Sequence, residues 1–305
     1  MYVLVFFMKV FTFLFAIKFL CLMPILFMAF ICFREGGIFM LPGVFAANKK
    51  DGTLYYRASL TYKSKHISLG SFSTEKEAYN AYLNGGQIIN SSISIADYDE
   101  DVFVLGFDKF VSLINFRDNK IYIKTPIYLK NRYFLYYFNK DCVFKFDIDD
   151  LFYYSNHKIM KRDGYLFVSD YGMQTNILYR YGIKHHAVAG RDYIFSNGDN
   201  QDYRYGNIEI INKYNGVTKI IDKGTEKFRV KIHIIGDYIV GEYNSEIEAA
   251  IAYNKAIDTL REKGVTINYT ENYIDEISTK KYQEFYDNVK ISKNIRHFDY
   301  SINAK

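Results

Sequence analysis

Catalysis needs groups that move protons or hold a cation, and this chain offers few of them at useful spacing. Asp147, Asp149 and Asp150 form a carboxylate cluster, but no His stands at metal-ligand spacing from it. Beside a strand end such a cluster reads as a turn or helix cap. His185 and His186 are adjacent in an expected loop, whereas His157 and His297 are isolated. Of 3 Cys, Cys21 and Cys32 lie in an apolar leader, so Cys142 alone excludes a disulfide scaffold and a Cys-based zinc site. The polar groups that do recur stand on alternating strands: Arg57, Ser59 and Thr61 in one, Arg229, Lys231 and His233 in another. Cations so placed can neutralise phosphates or pair with guanine edges. Outward strand positions are polar in most sheets, so the pattern alone also fits an ordinary solvated face.

The elements that must position these residues occur twice. Leu41 to Ile89 and Asn212 to Leu260 each open with Gly-Val, at Gly43-Val44 and Gly216-Val217. Each continues through a turn, Lys49 to Gly52 and Asp222 to Gly224, into an alternating strand, Tyr56 to Tyr62 and Phe228 to Ile234. Period-two alternation gives one apolar and one polar face, with Ala58, Leu60, Val230 and Ile232 inward. A further strand ends at Leu69-Gly70-Ser71-Phe72 and at Val240-Gly241-Glu242-Tyr243. Thr74-x-x-Glu77 and Ser245-x-x-Glu248 then read as capping boxes that start Ala-bearing helices. Each copy is expected to be a three-stranded antiparallel sheet with one helix on its apolar face. Lys219 adds to the outward face of the second copy, and Lys63, Lys65 and His66 to that of the first.

The 305 residues are 49% hydrophobic and 24% charged with a net charge of +5, a globular composition whose charge excess is too small to show nucleic-acid binding by itself. There are 30 Tyr, 26 Phe, 3 Pro and no Trp, a bias that AT-rich codons explain in part. Residues 1–39 stand apart. Phe19 to Phe33 is an uninterrupted apolar run, shorter than a usual span unless Val10 to Ile17 is added across Lys18. A signal peptide fits poorly, because the start is apolar and no small-residue cleavage site follows. Arg34-Glu35-Gly36-Gly37 can be encoded by a purine-rich ribosome-binding sequence, which makes Met40 a candidate start.

The repeated pattern resembles the Apetala-two/ethylene-response-factor DNA-binding domain, best in the second copy: Tyr214-Asn215-Gly216-Val217, Val240 to Tyr243, Glu248 to Tyr253 and Ile267-Asn268-Tyr269. That family's strand Trp falls on Tyr56 and Phe228. The resemblance implies that the sheet, not the helix, enters the major groove of double-stranded DNA. The first copy, with neutral Ser59 and Thr61, is expected to bind more weakly.

From Asp147 onward the order resembles HNH nucleases of the homing type. The family's L-H-R falls on Leu178-Tyr179-Arg180, its D-H-I-N-G-D on Ile194 to Asp199, its D-N-R on Asp202-Tyr203-Arg204 and its N-L on Asn207-Ile208. The resemblance implies a ββα core whose first His is Tyr179, whose metal-ligand carboxylate is Ile194 and whose general base is Phe195. Asn207 survives, but one neutral amide cannot hold a hard dication. Asp192 is displaced by two residues, and Asp199 suits the Asn-Gly-Asp turn.

The expectation is therefore an α+β protein. A leader (1–39) precedes a first sheet-and-helix module (41–92), a β-rich connector (93–146) and a degenerate HNH-like core (147–211). A second module (212–275) and a C-terminal tail (276–305) complete the chain. The function expected is cytoplasmic DNA binding without cleavage and without a cofactor. Two other readings stand beside it. One is an active nuclease that uses Mg2+ and a site rearranged around His185 or His186. The other is an interaction protein tethered to a membrane through residues 1–33, without nucleic acid.

Overall fold

The computed structural model describes residues 41–299, so the expectations for residues 1–39 and for Met40 fall outside the described residues. Those described form a mixed α+β protein of several small antiparallel sheets and a few helices, in two units. One runs to Ile93 and takes in Tyr98–Gly106; the other comprises Ser94–Asp97 and the chain from Phe107 on. Among the described residues no helix is long and apolar enough to cross a membrane.

In the first unit β1 (Val44–Asn48), β2 (Leu54–Tyr62) and β3 (Lys65–Phe72) pair antiparallel in chain order. Lys63 and Ser64 join β2 to β3 at positive φ, a turn whose twist matches that of the strands. Helix α1 (Glu75–Asn90) starts with the expected reciprocal box: Thr74 Oγ1 accepts from Glu77 N, and Glu77 Oε2 accepts from Thr74 N. It buries Ala78, Ala81, Ile88 and Ile89, and the sheet buries Val44, Ala58, Leu60, Ile67 and Leu69. Each buried Leu or Ile contributes about 1.5–3 kcal/mol. Gly85 permits the close approach, since a Cβ there would lie 2.5 Å from Leu60 Cδ2.

The second unit corrects the expected connector. Residues 107–119 form a helix, α2 (Phe107–Asn119), and not strands and turns. Its aromatic and β-branched residues favour strand, but burial of Phe110, Val111, Leu113, Ile114 and Phe116 overrides that preference. Ser112 donates to the Asp108 carbonyl and Asn115 to that of Ile121, so its buried polar groups are satisfied. No strand forms over 120–124; the strands are β4 (Ile127–Leu129), β5 (Tyr133–Tyr137) and β6 (Val143–Asp147).

Nor does a core boundary fall at Asp147. A short helix α3 (Leu151–Asn156) leads to β7 (Ile159–Arg162), β8 (Tyr165–Asp170) and β9 (Met173–Asn176), then to β10 (Tyr193–Phe195) and β11 (Ile208–Ile210). One cluster joins Phe134, Tyr136 and Phe146 of the expected connector to Tyr154, Val168, Tyr193 and Tyr203. Phe146 lies tilted 4.4 Å from Tyr154 and stacks 5.5 Å from Tyr203, so the aromatic richness of this stretch is packing.

In the second module β12 (Val217–Asp222), β13 (Thr225–His233) and β14 (Asp237–Tyr243) again pair in chain order under a helix, α4 (Glu246–Glu262). Ser245 Oγ accepts from Glu248 N and supplies the hydroxyl half of the expected box. Residues 276–299 are not a loose tail. Helices α5 (Thr279–Asn288) and α6 (Lys293–Arg296) bring Val289, Ile291, Ile295 and Phe298 into the core of this module. Lys255 of α4 donates to the carbonyls of Tyr286 and Val289, capping the end of α5.

Candidate nucleic-acid interface

Both modules carry a bulge in the third strand, where Leu69 and Val240 are the extra residues and the register shifts opposite Ala58/Ser59 and Val230/Lys231. Beside it the Ser59 amide donates to the Gly43 carbonyl, and the Lys231 amide to that of Gly216, each at 2.9 Å. Gly43 and Gly216 hold φ of +73° and +71°, and a side chain at either would run into the ring of Tyr82 or Tyr253. The Gly-Val openings and helix tyrosines of the two copies thus serve one local geometry.

The outward faces differ. In the second module Arg229 lies opposite Glu242, and its guanidinium binds that carboxylate at 2.8 Å. Lys227 pairs with Asp222 at 2.8 Å, and His233 with Asp237 at 2.9 Å. Lys231 is exposed and has no ion-pair partner among the described residues. Lys219 is not on this face. Its register partner is Phe228, whose side of the sheet holds Val217 and Val230, and it pairs there with Glu226. Glu226 lies two residues before Phe228, which puts both partners on that side.

In the first module Arg57 and Thr61 stand outward and exposed. Ser59 keeps the outward register opposite Ser68 but leaves only 7% of its surface open, because it lies in the central strand with a short side chain. Tyr55 Oη accepts from Arg57 Nη2 at 2.8 Å, and the guanidinium lies 5.5 Å from the Tyr55 ring centre. Lys63, Lys65 and His66 are exposed at the β2–β3 hairpin tip.

The segment from Ile194 to Asn207, expected to follow the nuclease order, is a turn held by amides. Asn207 Oδ1 accepts from Asn197 N at 2.8 Å, and Asn207 Nδ2 donates to the Asp202 carbonyl at 2.8 Å. Asp202 is buried and takes both arms of Arg204, the first cause of its depressed pKa. Asp199 binds the Gln201 amide and Lys145, as a turn residue does. Phe195 packs edge-on against Tyr203 at 5.4 Å, and Ile194 stands half-buried opposite Glu209. Strands β10 and β11 pair, but no helix follows β11 before β12, so the expected ββα order lacks its last element.

The other carboxylates are also engaged. Asp147 accepts from Tyr205 N at 2.7 Å, and buried Asp150 holds Arg180. Asp192 exposes 1% of its side chain and binds Lys184 at 2.9 Å and Arg191 at 2.7 Å. Burial raises its pKa, but hydrogen bonds from Arg191, the Val188 amide and Lys184 prevail and hold it low. Lys184 also donates to the carbonyls of Tyr214 and Val217, while the Ile211 and Asn212 amides donate to that of Asp192. This carboxylate, a candidate ligand by sequence, instead rivets the second module to the core.

Tyr179 and the adjacent histidines do meet. The Tyr179 hydroxyl bonds His185 Nδ1, and His186 lines a cleft of about 350 Å³ with Tyr179, Tyr165, Phe167 and Arg162. Among the described residues no group of three or more His, Cys, Asp or Glu side chains is placed to hold a metal.

Sequence reasoning missed Glu242, Asp222 and Asp237 as charge partners. A straight continuation of the β13–β14 register from Lys231–Ile239 would set Glu242 opposite Phe228; the bulge moves it opposite Arg229. Compared with protein-family models, curated proteins and solved structures, the chain matches none.

Proposed function

We propose that the chain is a DNA-binding protein derived from an HNH homing-type endonuclease, and that it no longer cleaves. The observation that carries this reading is the repetition of one sheet-and-helix build, bulge and tight glycine included, before and after the nuclease-like segment in the sequence. Each sheet leaves open the face opposite its helix, and Arg57, Arg229 and Lys231 stand on those faces. The loss of cleavage rests on Ile194 and Phe195, which can neither bind a cation nor take a proton from water, and on Asn207, whose amide is spent on the turn.

The test has two arms. Retention of a duplex library should fall in the Arg229→Ala/Lys231→Ala double variant, with a shallower salt dependence. Wild type should leave plasmid intact in Mg2+ or Mn2+, and Ile194→Asp with Phe195→His should nick it weakly. Unchanged library binding would remove the second sheet as the reading surface.

One observation favours a second reading. The bond between Tyr179 and His185, with His186 in the adjoining cleft, groups a phenol and two imidazoles at the position of the family's first His. Nicking by wild type that His185→Ala or His186→Ala abolishes would establish a rearranged nuclease instead.

A further inference from the structure

The outward face of the first sheet carries aromatic surface that recognition of duplex phosphates does not use. Phe45, on the edge strand β1, is 55% exposed and lies directly opposite Arg57. Tyr55 stands one outward position along β2, on the diagonal from Phe45, with its hydroxyl held by Arg57. Such diagonal neighbours sit roughly 7–8 Å apart, a step that one nucleotide of an extended strand can span. None of the outward register positions of β1, β2 and β3 is a carboxylate, and Ser71 stands where the second sheet has Glu242. The hairpin tip adds Lys63, Lys65 and His66.

We propose that this face binds single-stranded polynucleotide, with Phe45 and Tyr55 stacking on consecutive bases while Arg57 and the hairpin-tip cations neutralise phosphates. An exposed ring meets no base face in a stacked duplex unless a step is unstacked, whereas an unpaired strand presents its bases freely. The acid-free face supplies the charge complementarity, and the Arg57–Tyr55 contact fixes one ring before the strand arrives. The site is separate from the duplex-reading face proposed for the second module, so either can fail alone.

The chain contains no Trp, so Phe45→Trp places a single indole reporter in the full chain at the proposed stacking position. Its emission should be quenched by short oligothymidylate or oligouridylate, the two probes telling DNA from RNA. Phe45→Ala should weaken binding of the oligonucleotide about tenfold, and Phe45→Tyr by no more than about twofold, since any ring keeps a stacking face. Arg57→Gln should lower the salt slope by about one unit. A short duplex titrated in parallel should bind wild type and Phe45→Ala alike. The proposal fails if wild type does not bind the oligonucleotide, if Phe45→Ala binds it as wild type does, or if the variant loses single-stranded and duplex binding equally. A blue-shifted emission from Phe45→Trp that neither oligonucleotide changes would also overturn it, because the position would then be covered.

Discussion

In the first module Arg57 faces Ser71 across the sheet; in the second Arg229 faces Glu242. Helix α1 buries residues on one side only, among them Ala78, Ala81 and Ile88. Helix α4 buries Ala249 through Asn254 without a break, because α5 and α6 pack behind it. The second module is bonded to the preceding core through Lys184, Asp192 and Asn212, whereas the first belongs to a separate unit. One backbone design has thus been put to two uses. Integration into a larger core comes with neutralising acids on the outward sheet, and independence comes with a face free of them.

The largest effect should come from the rivet. Lys184→Ala leaves the buried Asp192 carboxylate with Arg191 and the Val188 amide but without its buried cation, and frees two carbonyls. We expect the second unit to lose about 3–5 kcal/mol in a urea titration, with the transition of the first unit unmoved. Equal loss in both would show that they unfold together.

Next come the paired glycines. An alanine at Gly216 would lie 2.6 Å from the Lys231 carbonyl as well as against Tyr253, at a positive φ. At Gly43 the three nearest atoms all belong to the Tyr82 ring, which is only half-buried and can swing away. Gly216→Ala should therefore cost about 3 kcal/mol and Gly43→Ala about 1–2. A reversed order in thermal unfolding would mean that the Tyr82 ring yields less readily than the Lys231 carbonyl and the Tyr253 ring.

Exchanging the facing residues tests the charge difference itself. Glu242→Ser releases Arg229 and should steepen the salt dependence of duplex binding by about one unit; Ser71→Glu should flatten that of single-strand binding by a similar amount. Filter retention across a salt series reads both.

The smallest effect is a pH dependence confined to the second unit. Hydrogen bonds from Lys213 and Tyr214 hold the Glu276 carboxyl at about 2, against an ordinary 4.5. Its folded value lies below its unfolded one, so this stabilisation is complete above the ordinary value and is lost as the pH falls toward the depressed one. The site is largely solvated, which limits the gain to a few degrees of Tm. Glu276→Gln should remove that part of the acid sensitivity. The first module has Leu41 where the second has Tyr214, so its melting should not share it.

Much of this fold was legible because local rules carried it. Alternation in Phe228 to Ile234 named the buried Val230 and Ile232, and Thr74-x-x-Glu77 named a helix start. What escaped depends on partners remote in sequence. Phe107 to Asn119 reads as strand by composition and becomes helix because its apolar residues are buried, with later strand β4 packed against it. The facing of Glu242 on Arg229 turns on a bulge that shifts the β13–β14 register by one residue, and Lys219 fell on the wrong side for want of the β12–β13 register. Asp192 looked displaced from a ligand position; only the fold shows Lys184 and Arg191 waiting for it.

The segment that follows α5 has a further consequence. Ser292 donates its amide to the Val240 carbonyl at 2.7 Å and its hydroxyl to that of Ile239 at 2.8 Å, so Val289 to Ser292 runs beside β14 as a selvedge on the sheet. A chain ending at Asp275 would keep every motif of the second module and leave that margin bare, with exposed Ile239 beside unpaired backbone groups. Such an edge recruits another like it. The stretch whose β14 edge stays covered is therefore not the repeated motif but the motif with its hem, from Asn212 to Phe298.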